Sequence, residues 1–112
     1  MLGAYTLTDV GMGCGDLDTS APECIKPNGS ACAVLFVSKP GATGRAVDGA
    51  VDLDPGGDFT GGLVKLGSVQ RSGCVGTWSP AIHQMAVNCG GTTPSTQMCT
   101  VTLTRAGASC GF

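Results

Sequence analysis

At 112 residues the chain has room for one domain with one modest core, and none for a second lobe that could build a cleft. Charged residues make up 12% of it and the net charge is −2, which excludes the basic footprint of a nucleic-acid binder and leaves little field to steer a charged partner. Aromatic residues are only 4% while cysteines number seven, so the core is thin and cross-links are expected to compensate.

The carboxylates are nearly all Asp, with Glu23 the only glutamate, and Lys is scarce. Those long side chains normally clothe helices, so their absence, with abundant Val, Thr, Ser and Gly, points to strands and turns. Ala4 to Val10 alternates Tyr5 and Leu7 with Thr6 and Thr8, the period of a half-buried strand. Gly11 to Ser30 breaks every pattern with Cys14, Pro22, Cys24, Pro27 and Asn28-Gly29, and reads as an irregular loop pinned by disulfides. Ala31 to Ser38 is an almost continuous apolar run, expected to be a strand buried on both faces. Pro40-Gly41 marks a turn. Ala46 to Leu53 and Phe59 to Leu66 form a hairpin around Asp54-Pro55-Gly56-Gly57-Asp58.

The second half is the most regular. Val69 to Trp78 and His83 to Cys89 read as a hairpin, and counting outward from its turn sets Trp78 opposite Met85, Gly76 opposite Val87 and Cys74 opposite Cys89. After a polar loop over Gly90 to Ser95, Gln97 to Arg105 puts Cys99, Val101 and Leu103 on one face and three threonines on the other. The whole reads as one all-β domain over residues 1–112, an antiparallel β-sandwich or small β-barrel of about seven strands, with an irregular loop over about 11–30.

The cysteines are Cys14, Cys24, Cys32, Cys74, Cys89, Cys99 and Cys110. Disulfides are the expected chemistry. No C-x-x-C occurs and His83 is the only histidine, so zinc would have to gather its ligands from distant loops. Cys74 can pair with Cys89, or Cys89 with Cys99, but not both. Cys14–Cys24 and Cys24–Cys32 are alternatives around the long loop, and Cys14 or Cys32 could anchor Cys110 on the tail. An odd count leaves one thiol free or bonded to another chain.

Other motifs have plain explanations. Asp52, Asp54 and Asp58 ring a Gly-rich bend and are weak calcium candidates, but an Asp-Pro-Gly-Gly turn accounts for the same letters. Asp16 and Asp18 form a second weak pair. Gly107-Ala108-Ser109-Cys110-Gly111 matches a nucleophile-elbow pattern, yet no helix, histidine or acid follows it in the chain. Asn28-Gly29-Ser30 fits a glycosylation sequon and equally a tight turn. Trp78 is expected to plug the end of a barrel or cover a sandwich core, and Met12, Met85 and Met98 to fill core space. His83 is expected as an exposed turn residue.

No paired carboxylates and no Ser–His or Cys–His set recommend an enzyme, and no cofactor is expected. The residues point to a non-catalytic module that presents loops on a disulfide-braced scaffold to a macromolecule, either protein or surface glycan. Alternatives are a secreted inhibitor or effector of another enzyme, and a subunit of an extracellular surface assembly joined through the unpaired cysteine. The expected setting is secreted, periplasmic or cell-surface. No apolar run is long enough to span a bilayer, and no leader precedes the first strand, so an exported form implies that Met1 stands where a leader was removed.

Overall fold

In the computed structural model, which describes residues 1–11, 13–39, 44–90 and 98–112, eight strands form a closed antiparallel barrel. They are β1 (Gly3–Val10), β2 (Glu23–Asn28), β3 (Ser30–Ser38), β4 (Val47–Asp52), β5 (Phe59–Leu66), β6 (Val69–Ser79), β7 (Gln84–Cys89) and β8 (Cys99–Gly107). Each pairs with its sequence neighbour, and β8 returns to pair along β1. Full closure leaves no unpaired sheet edge along most of the barrel.

The strand missing from the sequence reading is β2. It lies inside the stretch read as irregular, so the loop runs from Gly11 to Pro22 and not to Ser30. Pro27, which cannot donate to a ladder, and the Asn28-Gly29 turn disguise a strand that pairs with β3 from Glu23↔Ser38 to Pro27↔Val34. The β6–β7 register is as counted, with Trp78↔Met85 and Gly76↔Val87. Strand β3 differs from expectation. Val34, Phe36 and Ser38 are buried, whereas Ala33, Leu35 and Val37 are only half-buried. A barrel has one dry side, so even an apolar run must alternate.

Inside, the core comprises Tyr5, Leu7, Ile25, Val34, Phe36, Val51, Phe59, Val64, Leu66, Met85, Val87, Val101 and Leu103, with four half-cystines. Phe59 packs inside the barrel with its ring 5.9 Å from that of Phe36. Glycine makes the room. Gly76, the register partner of Phe59 on β6, sits directly under the ring, and a Cβ there would overlap it. Gly62 faces the same ring at 3.2 Å from where its Cβ would be. Of the other methionines, Met98 is 58% exposed and fills no core, while Met12 and the Pro40-Gly41 turn lie outside the described residues.

Three disulfides brace the barrel: Cys14–Cys99, Cys24–Cys110 and Cys74–Cys89. The hairpin pairing is therefore Cys74–Cys89, not Cys89–Cys99. Cys14 and Cys24 bond neither each other nor Cys32, and Cys110 is held by Cys24. Cys89 and Cys99 are nonetheless register partners, so their two bridges lie side by side across β6, β7, β8 and the Gly11–Pro22 loop. The 85- and 86-residue separations would each remove about 4.5 kcal/mol of loop entropy from the unfolded chain, the 15-residue one about 3.

Gly76→Val should destabilise the protein by about 1–3 kcal/mol in denaturant unfolding, the usual penalty for overpacking. Adding Phe59→Leu should recover part of that loss, because the two side chains would compete for one space. Strict additivity of the two losses would show that the ring and the glycine are not coupled.

Candidate binding site

The two barrel ends are built differently. At one end the Gly11–Pro22 loop folds back over the opening. The N–H of Asp18 donates to the carbonyl of Arg45 at 2.9 Å, and the N–H of Ser68 donates to Asp16 Oδ1 at 3.1 Å. Arg71, only 1% exposed, donates through Nη2 to the Gly13 carbonyl at 2.8 Å. The Ser68 hydrogen bonds hold Asp16 below the usual carboxylate range, and those from Ser20 do the same for Asp18. Asp18 caps its own turn and Asp16 caps the β5–β6 turn at Ser68, at the opposite end from Asp54 and Asp58.

That closed end also holds two groups the sequence reading left without a role, Arg71 and Glu23. Glu23 opens β2 with its side chain on the same inward face as Ile25, and it is 1% exposed. Burial pushes its pKa up to about 8, against the opposing pull of the Val47 N–H, which donates to Oε2 at 2.8 Å. Ser38 and Asp48 complete the cluster. Once Glu23–Asn28 is recognised as a strand, the Glu23/Ile25 alternation is the signal that would have placed the carboxyl indoors.

The other end is open. Here the Asp54–Asp58 turn is held by its own first carboxylate. Asp54 Oδ1 accepts the N–H groups of Gly56 at 2.9 Å and Asp58 at 3.0 Å. Asp58 Oδ1 accepts the N–H of Trp78 at 2.7 Å, tying the turn to β6. Gly57 carries a φ of 87° and lies so close to Trp78 that a Cβ would come within 2.9 Å of its ring, so the turn needs glycine on both counts. Asp52 is exposed on β4. The three aspartates thus sit apart in role, and among the described residues no group of three or more His, Cys, Asp and Glu is arranged around a metal position.

Trp78 plugs part of this end. Tyr5 meets it edge-on at 6.5 Å, and His83 stacks on it at 6.4 Å with an interplanar angle of 15°. Burial raises the Tyr5 hydroxyl to about 12, and that hydroxyl donates to the Met1 carbonyl. His83 is an exposed turn residue with a φ of 52°.

Beside the plug lies a depression of about 360 Å³, walled by Met1, Leu2, Pro27, Leu53 and Pro55, with Ser30, Cys32 and Asp54 as its polar members. Cys32 is the free cysteine and is exposed. It lines this depression beside its strand neighbours Ala33 and Val34. A second depression, about 480 Å³, runs between β2 and the tail that Cys24–Cys110 pins down, with Lys26 Nζ 5.4 Å above the Phe112 ring. Leu2 and Pro27 line both. Ser109 of the elbow-like pentapeptide lines this second depression on an irregular tail, and Asn28-Gly29-Ser30 is the exposed β2–β3 turn.

No protein family, no curated protein and no solved structure matches the chain. The geometry of the open end must speak for itself. It offers an apolar, partly polar-rimmed concavity in the size range of ligand pockets.

Native, unreduced protein should take up one maleimide label, at Cys32, when assayed by mass spectrometry without denaturant. Cys32→Ser should shift the unfolding free energy by less than about 0.5 kcal/mol, as for other exposed positions. Failure to label until the protein unfolds would mean that the thiol is covered.

Proposed function

We propose that the chain is a non-catalytic, exported binding module whose open barrel end receives an apolar segment of a protein partner. The concavity formed by Leu2, Pro27, Leu53 and Pro55 around Cys32 carries this reading. Three disulfides are compatible with an oxidising compartment and give that surface a stiff support, which reduces the ordering cost of binding.

A protein partner suits the site better than a glycan. Sugar-binding surfaces offer an open aromatic face, and here the Trp78 ring is already stacked with His83 and in edge contact with Tyr5. The long loop is a poor candidate for an inhibitory prong, because its described residues are bound down across the closed end. A second reading, a subunit that joins a neighbour through Cys32, is favoured by the exposure of that thiol at the same concavity.

Panning a random peptide library against the protein with Cys32 replaced by Ser should enrich sequences with apolar anchors, and Leu53→Glu should abolish their binding. Peptides insensitive to Leu53→Glu, or mapped by NMR to the barrel flank around exposed Leu63 and Val75, would contradict the reading. A covalent dimer under non-reducing conditions that Cys32→Ser dissolves would favour the subunit reading instead.

A further inference from the structure

A serine hydroxyl has one proton to give and two lone pairs with which to accept. At Ser38 all three are accounted for. The Ala46 N–H donates to Oγ at 2.8 Å, and Oγ lies 3.1 Å from Asp48 Oδ2, which can only take the hydroxyl proton. The remaining contact, 3.4 Å to Glu23 Oε2, competes for that same proton, and a donor on the glutamate side would satisfy both carboxyl groups at once. A carboxylate has none; a carboxylic acid has one.

The surroundings agree. Glu23 Oε1 is buried and has no hydrogen-bond partner among the described residues, a position in which half of an ionised carboxylate's charge would go unanswered. A metal ion is no better answer. The N–H groups of Ser38, Ala46 and Val47 all point into the cluster, to Asp48 Oδ1 at 2.8 Å, to Ser38 Oγ and to Glu23 Oε2, and such a ring of donors repels a cation larger than a proton.

We infer that Glu23 is a proton-operated clasp: in its acid form it donates to Ser38, which donates to Asp48, and this chain fastens the start of β2, the end of β3 and the start of β4. Loss of the proton to solvent removes the donor and leaves two carboxylates sharing one hydroxyl inside the closed end of the barrel. The titratable groups facing Glu23 are Tyr5 from the β1 partner position and Asp48 from β4, while β3 contributes only the serine. Tyr5 keeps its proton throughout the relevant range, so Asp48 is the charge that acts on Glu23, and it opposes ionisation.

The sign follows from linkage. The folded state holds this proton more tightly than the unfolded chain, from an ordinary 4.5 to about 8. The clasp's stabilisation is therefore complete below about pH 4.5 and is lost as the pH rises through about 8. Asp16 and Asp18, with lowered values, act only at more acid pH.

Denaturant unfolding of the full chain between pH 5 and pH 9, with Cys32→Ser to prevent thiol exchange, should show the unfolding constant rising on the order of a thousandfold. Glu23→Gln, which stays neutral, should remove most of that rise. Because Glu23 is the only glutamate, labelling glutamate with ¹³C at its carboxyl gives one reporter signal in the otherwise unaltered protein, independent of whether the variant folds. Its titration midpoint is expected near 8. A midpoint in the ordinary carboxylate range, or a pH dependence that persists in Glu23→Gln, would overturn the inference.

Discussion

Two disulfides lying side by side close one end of this barrel, and the rest of the architecture depends on them. Cys74–Cys89 staples the β6–β7 hairpin, and Cys14–Cys99 ties β8 to the loop that covers the opening. All four half-cystines are buried, at 0–4% exposure, where larger apolar side chains would otherwise have to stand. With so few aromatic residues the interior has little else to fill that layer. The sulfur atoms act both as core and as cross-link. The third bridge, Cys24–Cys110, works on the opposite principle: it fixes a tail against the outer face of β2 and so shapes one of the two surface depressions.

Elsewhere the interior is filled by a different device. Phe59 fits because Gly62, on its own strand, and Gly76, its partner on β6, leave space beside the ring. Room for this ring is thus made by two absent side chains, a pattern with no period to betray it. The alternation along β8, the β4–β5 hairpin and the β6–β7 register were all legible, because each is set by neighbours within about ten residues. Strand β2 was not, since Pro27 and Asn28-Gly29 sit at its end and its pairing partner had to be known first. Nor were the bridges of Cys14, Cys24 and Cys110, whose partners lie 85 and 86 positions away and meet only when β8 closes on β1. Seven cysteines allow many pairings, and spacing alone favours near ones, of which this topology uses only Cys74–Cys89.

The site was legible only in outline. The sequence marked Asp54–Asp58 as a turn and Trp78 as an end plug, but gave no reason to join them to Met1, Leu2, Pro27 and Cys32. Closure of the sheet does that, by bringing the β2–β3 turn, the β4–β5 turn and the N-terminus to one rim. The described residues of the long loop are bound down across the closed end. The apolar concavity and the buried Glu23 carboxyl therefore occupy opposite ends of the barrel.

Everything rests on which sulfurs are joined. Alkylation of the denatured, unreduced protein followed by digestion and mass spectrometry of the linked peptides decides it. The account predicts a single alkylated thiol, at Cys32, and three linked pairs, 14 with 99, 24 with 110 and 74 with 89. Seven alkylated thiols, or a peptide joining Cys89 to Cys99, would contradict it.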